Sequence, residues 1–231
     1  MALRDRAVRL LVWFVLLGGC RGHETTVQES APPLPAVSKG EASGEPAIRA
    51  RIHATLPEFR FNLIGEKSSD GTTLQVKKIE IRRANRTEPV QVIEGLDANT
   101  PLNPGVAPLE ALDMNFDGYE DIRIIAFQPA GPNVPYRNWL YDPTAGRFLE
   151  SAALNEITAP EFDAPRKQIR SSWRDGATRY GTDIYVYENG KPVVVRKETK
   201  DYQAPGRYTL RVSQRVNGAW KVSEQRAVRE P

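Results

Sequence analysis

The 231-residue chain has few of the side chains on which common catalytic and metal sites depend: one cysteine, two histidines and two methionines. A single cysteine cannot form an internal disulfide, and two histidines cannot supply a histidine-based zinc site. His23 lies in a polar segment and His53 near the first expected strand, so no Ser-His-Asp triad can be assembled. No glycine-rich phosphate loop of the usual patterns opens a helix. These absences predict that the protein is not an enzyme. A catalytic pair of carboxylates, as in glycoside hydrolases, remains an alternative among the 29 acidic residues.

The chain also lacks a strong excess of charge of either sign. Its formal net charge is +3, and the first nineteen residues alone hold three arginines and one aspartate. The remainder is therefore close to neutral, and it contains no basic block with interleaved aromatic residues. The charge pattern predicts no nucleic-acid partner.

No apolar run is long enough to span a bilayer as a helix, which needs about 20 residues. The longest candidate, LLVWFVLL at residues 10–17, follows a segment with three arginines and precedes Gly18-Gly19. A basic start, a short apolar centre and a small-residue end are typical of a secretory signal peptide. Residues 1–19 are therefore predicted to be a cleaved export signal.

The residues at the end of this segment, Leu17-Gly18-Gly19-Cys20, resemble the lipobox of bacterial lipoproteins. In such proteins the cysteine is lipidated and becomes the mature N-terminus. The resemblance implies a lipid anchor on Cys20, and Arg21 in place of a retention aspartate implies the outer membrane, facing the periplasm. An ordinary signal peptide followed by a chance cysteine is the alternative. Residues 20–46 are rich in Pro, Ser, Glu and Gly without apolar periodicity, which predicts a flexible tether.

Apolar and polar residues alternate through most of residues 47–231, which is the period of half-buried strands. Two turns of the Asn-Gly type, at residues 189–190 and 217–218, and the DPTAG turn at 142–146 predict hairpins. These signals predict one all-β domain of about ten antiparallel strands, rich in hairpins or meanders, with no helix. A slip in the alternation between Val76 and Ile79 predicts a bulge or a break in that strand.

Prolines and an asparagine in residues 96–108 predict a loop. Strands are expected at 109–112 and 121–127, on either side of an acidic stretch, and another at 167–173. Trp139 and Trp173 lie beside expected strands and are predicted to pack in the core.

The acidic stretch ALDMNFDGYEDIRII, residues 111–125, spaces its oxygen donors as a cation-binding loop does. Gly118 stands at position 6, where the chain must bend sharply. Hard oxygen ligands suit calcium better than a soft metal. The predicted ligands, at positions 1, 3, 5, 7 and 9, are the side chains of Asp113, Asn115, Asp117 and Asp121 and the carbonyl of Tyr119.

Position 12 of this loop is Ile124, so the bidentate glutamate of an EF-hand is missing. The pattern resembles instead the D-x-N-x-D-G-x-x-D calcium loop of FG-GAP and related β-rich extracellular repeats, in which strands flank the loop. The resemblance implies a structural Ca²⁺, with Phe116 pointing into apolar contacts and Glu120 away from the ion. An acidic turn held by its own Asx hydrogen bonds is the alternative.

Three segments within residues 109–200, LEALDMNFDGYEDIRI, NWLYDPTAGRF and IRSSWRDGATRYGTDIYVYENGKPVVVRKE, resemble a family of periplasmic lipoproteins. Its members include immunity proteins of bacterium-killing type IV secretion systems, which bind calcium and inhibit lysozyme-like effectors. The resemblance implies a propeller-like scaffold, with a sandwich as the alternative, that presents a loop to the glycan cleft of a lysozyme-like peptidoglycan hydrolase.

The contact residues that this resemblance implies lie in SSWRDGATRYGTD: Ser172, Arg174, Asp175 and Tyr180. Related lysozyme inhibitors use an S-G-x-x-Y loop, whereas here Gly176 and Tyr180 are separated by three residues. The leading functional hypothesis is a membrane-anchored inhibitor, or immunity protein, of such a hydrolase. A structural or assembly lipoprotein of the cell envelope is the alternative, and a peptidoglycan-acting enzyme is a third hypothesis.

Overall fold

The computed structural model describes residues 48–103 and 107–230. The predicted export signal, the lipidation site at Cys20 and the tether lie outside the described residues, and these three remain predictions. The described residues belong to one compact unit.

The described residues form fifteen strands and one helical turn, and all paired strands are antiparallel. The predicted all-β, hairpin-rich single domain is therefore confirmed. The strands are β1 (Ile48–Ala50), β2 (Phe59–Lys67), β3 (Thr73–Arg83), β4 (Gln91–Ile93), β5 (Ala98–Pro101), β6 (Glu110–Leu112), β7 (Asp121–Ile125), β8 (Tyr136–Asp142), β9 (Arg147–Glu150), β10 (Pro160–Asp163), β11 (Gln168–Asp175), β12 (Arg179–Glu188), β13 (Lys191–Ala204), β14 (Arg207–Val216) and β15 (Ala219–Arg229), and the turn is α1 (Ala152–Asn155).

The strands make three sheets, two of which are simple meanders. The first sheet has the order β1-β2-β3-β4, with β5 also paired to β3. The second is β6-β7-β8-β9, and the third is β10-β11-β12-β13-β14-β15. Successive strands joined by tight turns explain why local turn chemistry predicted so much of the pairing. None of the helical structure within the described residues is long and apolar enough to cross a membrane.

The bulge predicted in β3 is confirmed and lies at Lys77. Ile64 pairs with Lys78 and Gly65 with Val76, so Lys77 has no partner on β2. Its carbonyl accepts a hydrogen bond from Leu96 N at 3.2 Å. The bulge thus separates the half of β3 that pairs with β4 from the half that pairs with β5.

The prediction of a loop over residues 96–108 is wrong for Ala98–Pro101, which form β5. This strand pairs with Thr73 to Val76 of β3, and Thr100 donates its hydroxyl to the Ile125 carbonyl at 2.9 Å. Pro101 ends the strand, where its missing N–H costs little. Pairing with a distant strand therefore overrides the local proline signal. The prediction of no helix is wrong for α1, whose four residues are too short to show periodicity, and no strand was predicted at β10.

The main hydrophobic core joins the first and second sheets. Its centre is a set of aromatic rings: Phe148 lies 5.9 Å from Phe59 and 5.2 Å from Tyr141, both edge-on. Trp139 is buried in the same core, so its predicted packing is confirmed. Each fully buried side chain of this size contributes about 1.5 to 3 kcal/mol.

A second core joins the second and third sheets, with Met114, Leu154, Ile157 and Ile169 fully buried. Beside it, Arg123 of β7 donates to Glu110 at 2.7 Å and to the Pro160 carbonyl of β10 at 2.9 Å. The Arg123 guanidinium also lies 4.1 Å from the Tyr136 ring centroid. This half-buried arginine connects the second and third sheets through charge and hydrogen bonds as well as packing.

Candidate functional site

The acidic loop connects β6, which ends at Leu112, to β7, which begins at Asp121, so strands flank it as predicted. Gly118 has φ of 92°, which a glycine adopts without steric cost. Phe116 also has a positive φ, 62°, and its ring packs edge-on against Phe162 and Tyr187 at 6.5 and 6.2 Å. The prediction that Phe116 points into apolar contacts is confirmed, and this contact anchors the outer part of the loop to the second core.

The polar side chains at the tip of the acidic loop accept hydrogen bonds from the loop's own backbone. Asp113 accepts from Asp117 N at 3.2 Å and from Gly118 N at 2.9 Å, and the Asn115 carbonyl oxygen accepts from the same Asp117 N at 3.2 Å. Asp117 accepts from Tyr119 N at 2.9 Å. Two side-chain oxygens that share one N–H lie close together, and each keeps lone pairs for another partner.

Asp121 lies at the base of the loop and is fully buried. Its two oxygens accept from Met114 N and from Tyr141 N of β8, both at 2.8 Å. The pKa of Asp121 is raised to about 7, because burial and, to a smaller extent, the charges of Asp117 and Asp113 outweigh the lowering by the two backbone N–H groups. Asp121 therefore fastens the acidic loop to the second sheet, whether or not an ion is bound.

The donors of the acidic loop fit a hard cation in their chemistry. All are oxygens, and no lysine or arginine of the described residues offsets the charge of the buried Asp121. Within residues 48–103 and 107–230, no three His, Cys, Asp or Glu side chains converge closely enough to hold a metal ion. Binding would thus require the tip carboxylates to move toward Asp121, and calcium at this loop stays a prediction.

Tyr187, which sequence reasoning did not single out, borders the acidic loop from β12. Its hydroxyl is buried and has no hydrogen-bond partner among the described residues. Burial raises its pKa, and the charges of Asp121, Asp113 and Asp117 raise it further, so the hydroxyl lies within the field of the acidic loop. No local sequence pattern could have identified this residue, because it lies on another sheet.

The predicted contact residues lie at the tip of the hairpin formed by β11 and β12. Arg174 pairs with Tyr180, and Ser172 pairs with Thr182, so Ser172, Arg174 and Tyr180 share one face of the sheet. Asp175 pairs with Arg179 on the opposite face. The structure therefore brings together three of the four predicted residues and separates Asp175 from them.

Arg174 and Tyr180 are held in place by contacts within the hairpin. The Arg174 guanidinium lies 5.3 Å from the Tyr180 ring centroid and donates to the Gly176 carbonyl at 2.7 Å. Asn133, 41 residues away, accepts from Arg174 N and donates to Arg174 O, both at 2.8 Å. This amide fixes the edge of β11 as a neighbouring strand would. The sequence carries no signal for that contact.

The prediction that Trp173 packs in the core is wrong. Trp173 is half-buried and lies on the face of the sheet opposite Arg174, outside the hydrophobic core clusters of the described residues. Its indole lies directly over Gly181 on β12, where any Cβ would overlap the ring. Arg179 covers it at 5.9 Å from the ring centroid. Because Gly181 has no side chain, the indole can lie against β12 outside the core.

Comparison with known proteins gives one informative likeness. The solved structure of a Xanthomonas type IV secretion system related protein superposes on this fold with a TM-score of 0.59 and 15% sequence identity, covering 81% of this chain and 98% of that chain. At this identity the likeness shows a shared fold alone. No protein-family model matches the chain, and no curated protein matches it in sequence.

Proposed function

We propose that the protein is a lipid-anchored envelope protein that binds and inhibits a lysozyme-like peptidoglycan hydrolase, as an immunity protein does. The observation that carries the proposal is the common face of Ser172, Arg174 and Tyr180 at the end of a hairpin. An aromatic ring and an arginine on a rigid tip have the composition of interface hot spots. The contacts to Gly176 and Asn133 restrict the tip, which would lower the entropy lost on binding.

Two further features support this function. The related fold belongs to a protein associated with a type IV secretion system, and an immunity protein of such a system would be exported to the envelope. The export signal and Cys20 would place this chain there, on the outer membrane facing the periplasm. The inhibitor itself needs no catalytic group, in agreement with the shortage of histidine and cysteine.

In this proposal Ca²⁺ braces the scaffold rather than the contact surface. Asp113, Asn115, Asp117, Asp121 and the Tyr119 carbonyl would hold the ion, which offsets the repulsion among three carboxylates. The loop joins β6 to β7 and contacts β8 through Asp121. Ion binding would therefore add to the folding free energy of the second sheet.

The alternative, a structural or assembly protein of the envelope without inhibitory activity, is favoured by one observation. Trp220 and Val222 on β15 are 45% and 55% exposed, although both are large and apolar. Such residues on an outer strand suit contact with another protein. The inhibition experiment below separates the two functions.

We expect the purified protein to inhibit, at a one-to-one molar ratio, a lysozyme-like hydrolase that is encoded beside its own gene. Combining Arg174→Ala with Tyr180→Ala should weaken inhibition at least about tenfold, because each residue has the character of an interface hot spot. Turbidity of a peptidoglycan suspension measures the effect. Arg226→Ala, which changes an exposed arginine on β15, is the matched control and should leave inhibition unchanged.

Two results would count against inhibition at the hairpin tip. If the protein binds no such hydrolase, or binds it without lowering its rate, the assembly function is the better account. If the protein clears the suspension by itself, it is a peptidoglycan-acting enzyme.

We expect 5 mM Ca²⁺ to raise the melting temperature by about 2 to 9 °C relative to chelator, for a dissociation constant of roughly 10⁻⁴ to 10⁻³ M. Asp117→Ala should abolish that difference, because it removes one charged ligand at the exposed tip of the loop. Asp175→Ala, an exposed aspartate on the hairpin, should keep it. Equal melting curves for the wild-type protein with and without Ca²⁺ would refute the calcium site.

A further inference from the structure

An open groove of about 610 Å³ lies beside the hairpin tip, between the β11–β12 and β13–β14 turns. We call it the tyrosine groove. One wall comes from the first turn and the other from the second, and the floor is made by β12 and β13. Its lining residues are Ala177, Thr178, Tyr180, Lys200, Tyr202, Gln203, Ala204 and Pro205. A groove of this volume is within the usual range for small-ligand sites, about 300 to 1,000 Å³.

The floor of the groove combines aromatic rings with one positive charge. The Tyr180 and Tyr202 rings lie 5.6 Å apart in an edge-on arrangement, and Tyr202 lies 4.9 Å from Tyr208. The Lys200 ammonium is 5.1 Å from the Tyr208 ring centroid, which keeps the side chain on the floor. No carboxylate belongs to the lining, and no acid of residues 48–103 or 107–230 forms an ion pair with Lys200.

The strands under the groove have no free edge to which an extended peptide could add. Strands β12 and β13 are interior, and each is hydrogen-bonded to neighbours on both sides. A peptide could not add itself as a strand here, so recognition must come from side chains alone. The available groups are ring faces, one ammonium and the Thr178 hydroxyl. The Gln203 amide donates instead to the Thr209 hydroxyl at 3.1 Å, and the Tyr202 hydroxyl donates to Glu230 at 3.3 Å.

We propose that the tyrosine groove binds a glycan chain of amino sugars that carry carboxylates. The apolar faces of pyranose rings fit against tyrosine faces, and a sugar acetamido or hydroxyl group can pair with the Thr178 hydroxyl at the rim. A carboxylate on the sugar complements Lys200, the one charged residue in the lining. In the envelope to which the chain is predicted to be exported, the polymer with this chemistry is the peptidoglycan glycan strand from which amidases have removed the stem peptides, because only then are its lactyl carboxylates free.

This inference goes beyond the proposed function: it shares the predicted export to the envelope but does not depend on inhibition of a hydrolase. Tyr180 borders both the hairpin tip and the groove, so an inhibitor that also binds glycan would be held next to the substrate of its target. The test of the groove contains no hydrolase, and a failure of inhibition therefore leaves the glycan result intact.

The test titrates the full chain, by calorimetry, with amidase-released peptidoglycan strands whose lactyl carboxylates are free, and separately with neutral chitotetraose. We expect Lys200→Gln to weaken binding of the anionic strands about tenfold and to leave chitotetraose unchanged. Tyr202→Ala should weaken binding of both glycans, because a ring face is lost. Lys191→Gln, at the other end of β13, is the matched control and should change neither.

Absence of saturable binding by the wild-type protein to either glycan would overturn the proposal. So would equal weakening by Lys200→Gln and Lys191→Gln, since the charge effect would then be general. Displacement of the strands by a proline-rich peptide at equal concentration would assign the groove to a peptide instead. Lys200→Gln alters a partly exposed side chain, so its result stands even if Tyr202→Ala fails to fold.

Discussion

Asp121→Ala is expected to lower the free energy of unfolding by about 3 to 5 kcal/mol, one of the two largest effects in the molecule. The substitution leaves Met114 N and Tyr141 N without their acceptor in a fully buried site. Each unpaired buried N–H costs about 1 to 3 kcal/mol. Urea unfolding monitored by tryptophan fluorescence measures the loss, and the melting temperature should fall by roughly 6 to 20 °C.

The measurement in chelator separates the two possible roles of this carboxylate. If Asp121 acts only as a calcium ligand, the variant and the wild-type protein will have equal stability once Ca²⁺ is removed. We expect the difference to persist, because the two hydrogen bonds hold the acidic loop to β8 without an ion. Asp175→Ala, which removes an exposed carboxylate, should change stability by no more than about 0.5 kcal/mol.

Gly65→Ala is expected to be at least as damaging as a core substitution, with a loss of about 3 kcal/mol or more. A Cβ at this position would overlap the carbonyl oxygen of Gln75 and approach Val76 Cα to 3.0 Å. Both atoms belong to the backbone of β3, so no side chain can rotate away. The two strands would have to separate beside the bulge at Lys77, where Val76 is fully buried.

Thermal unfolding and soluble yield report this effect. Gly131→Ala is the matched control, since nothing lies within 4 Å of its added Cβ and its backbone angle suits any residue. That variant should melt within about 2 °C of the wild-type protein. A Gly65→Ala variant with unchanged melting temperature would show that β2 and β3 can part locally at no cost.

The features that sequence reasoning predicted are those set by neighbouring residues. Asn189 and Asn217 have φ of 52° and 51°, and the glycines that follow them are also left-handed, as hairpin turns of this type require. The slip in alternation at Lys77 likewise appears directly in the register of β2 and β3. Strand β5 was missed because its only evidence is a partner on β3, more than twenty residues earlier in the chain.

The candidate site likewise has local features that the sequence predicted and long-range contacts that it did not. The spacing of the acidic loop and its flanking strands could be read from fifteen residues, because both are local. The attachment of Asp121 to Tyr141, the position of Tyr187 and the brace from Asn133 to Arg174 could not. Each depends on residues far apart in the chain meeting in space. Asp175 was grouped with Arg174 and Tyr180 by proximity in the chain, whereas the pleat places it on the other face.

The order of the third sheet, in which each strand pairs with its neighbours in the chain, governs how the molecule opens. Strand β15 is exposed along nearly all its length and pairs only with β14, so we expect fraying to start there and to advance inward one strand at a time. Amide protons should therefore exchange with solvent in a gradient, fastest at the C-terminal end and slowest beside the acidic loop. A proteolytic cut near Gly218 would detach β15 from the rest of the chain and leave the β11–β12 hairpin intact.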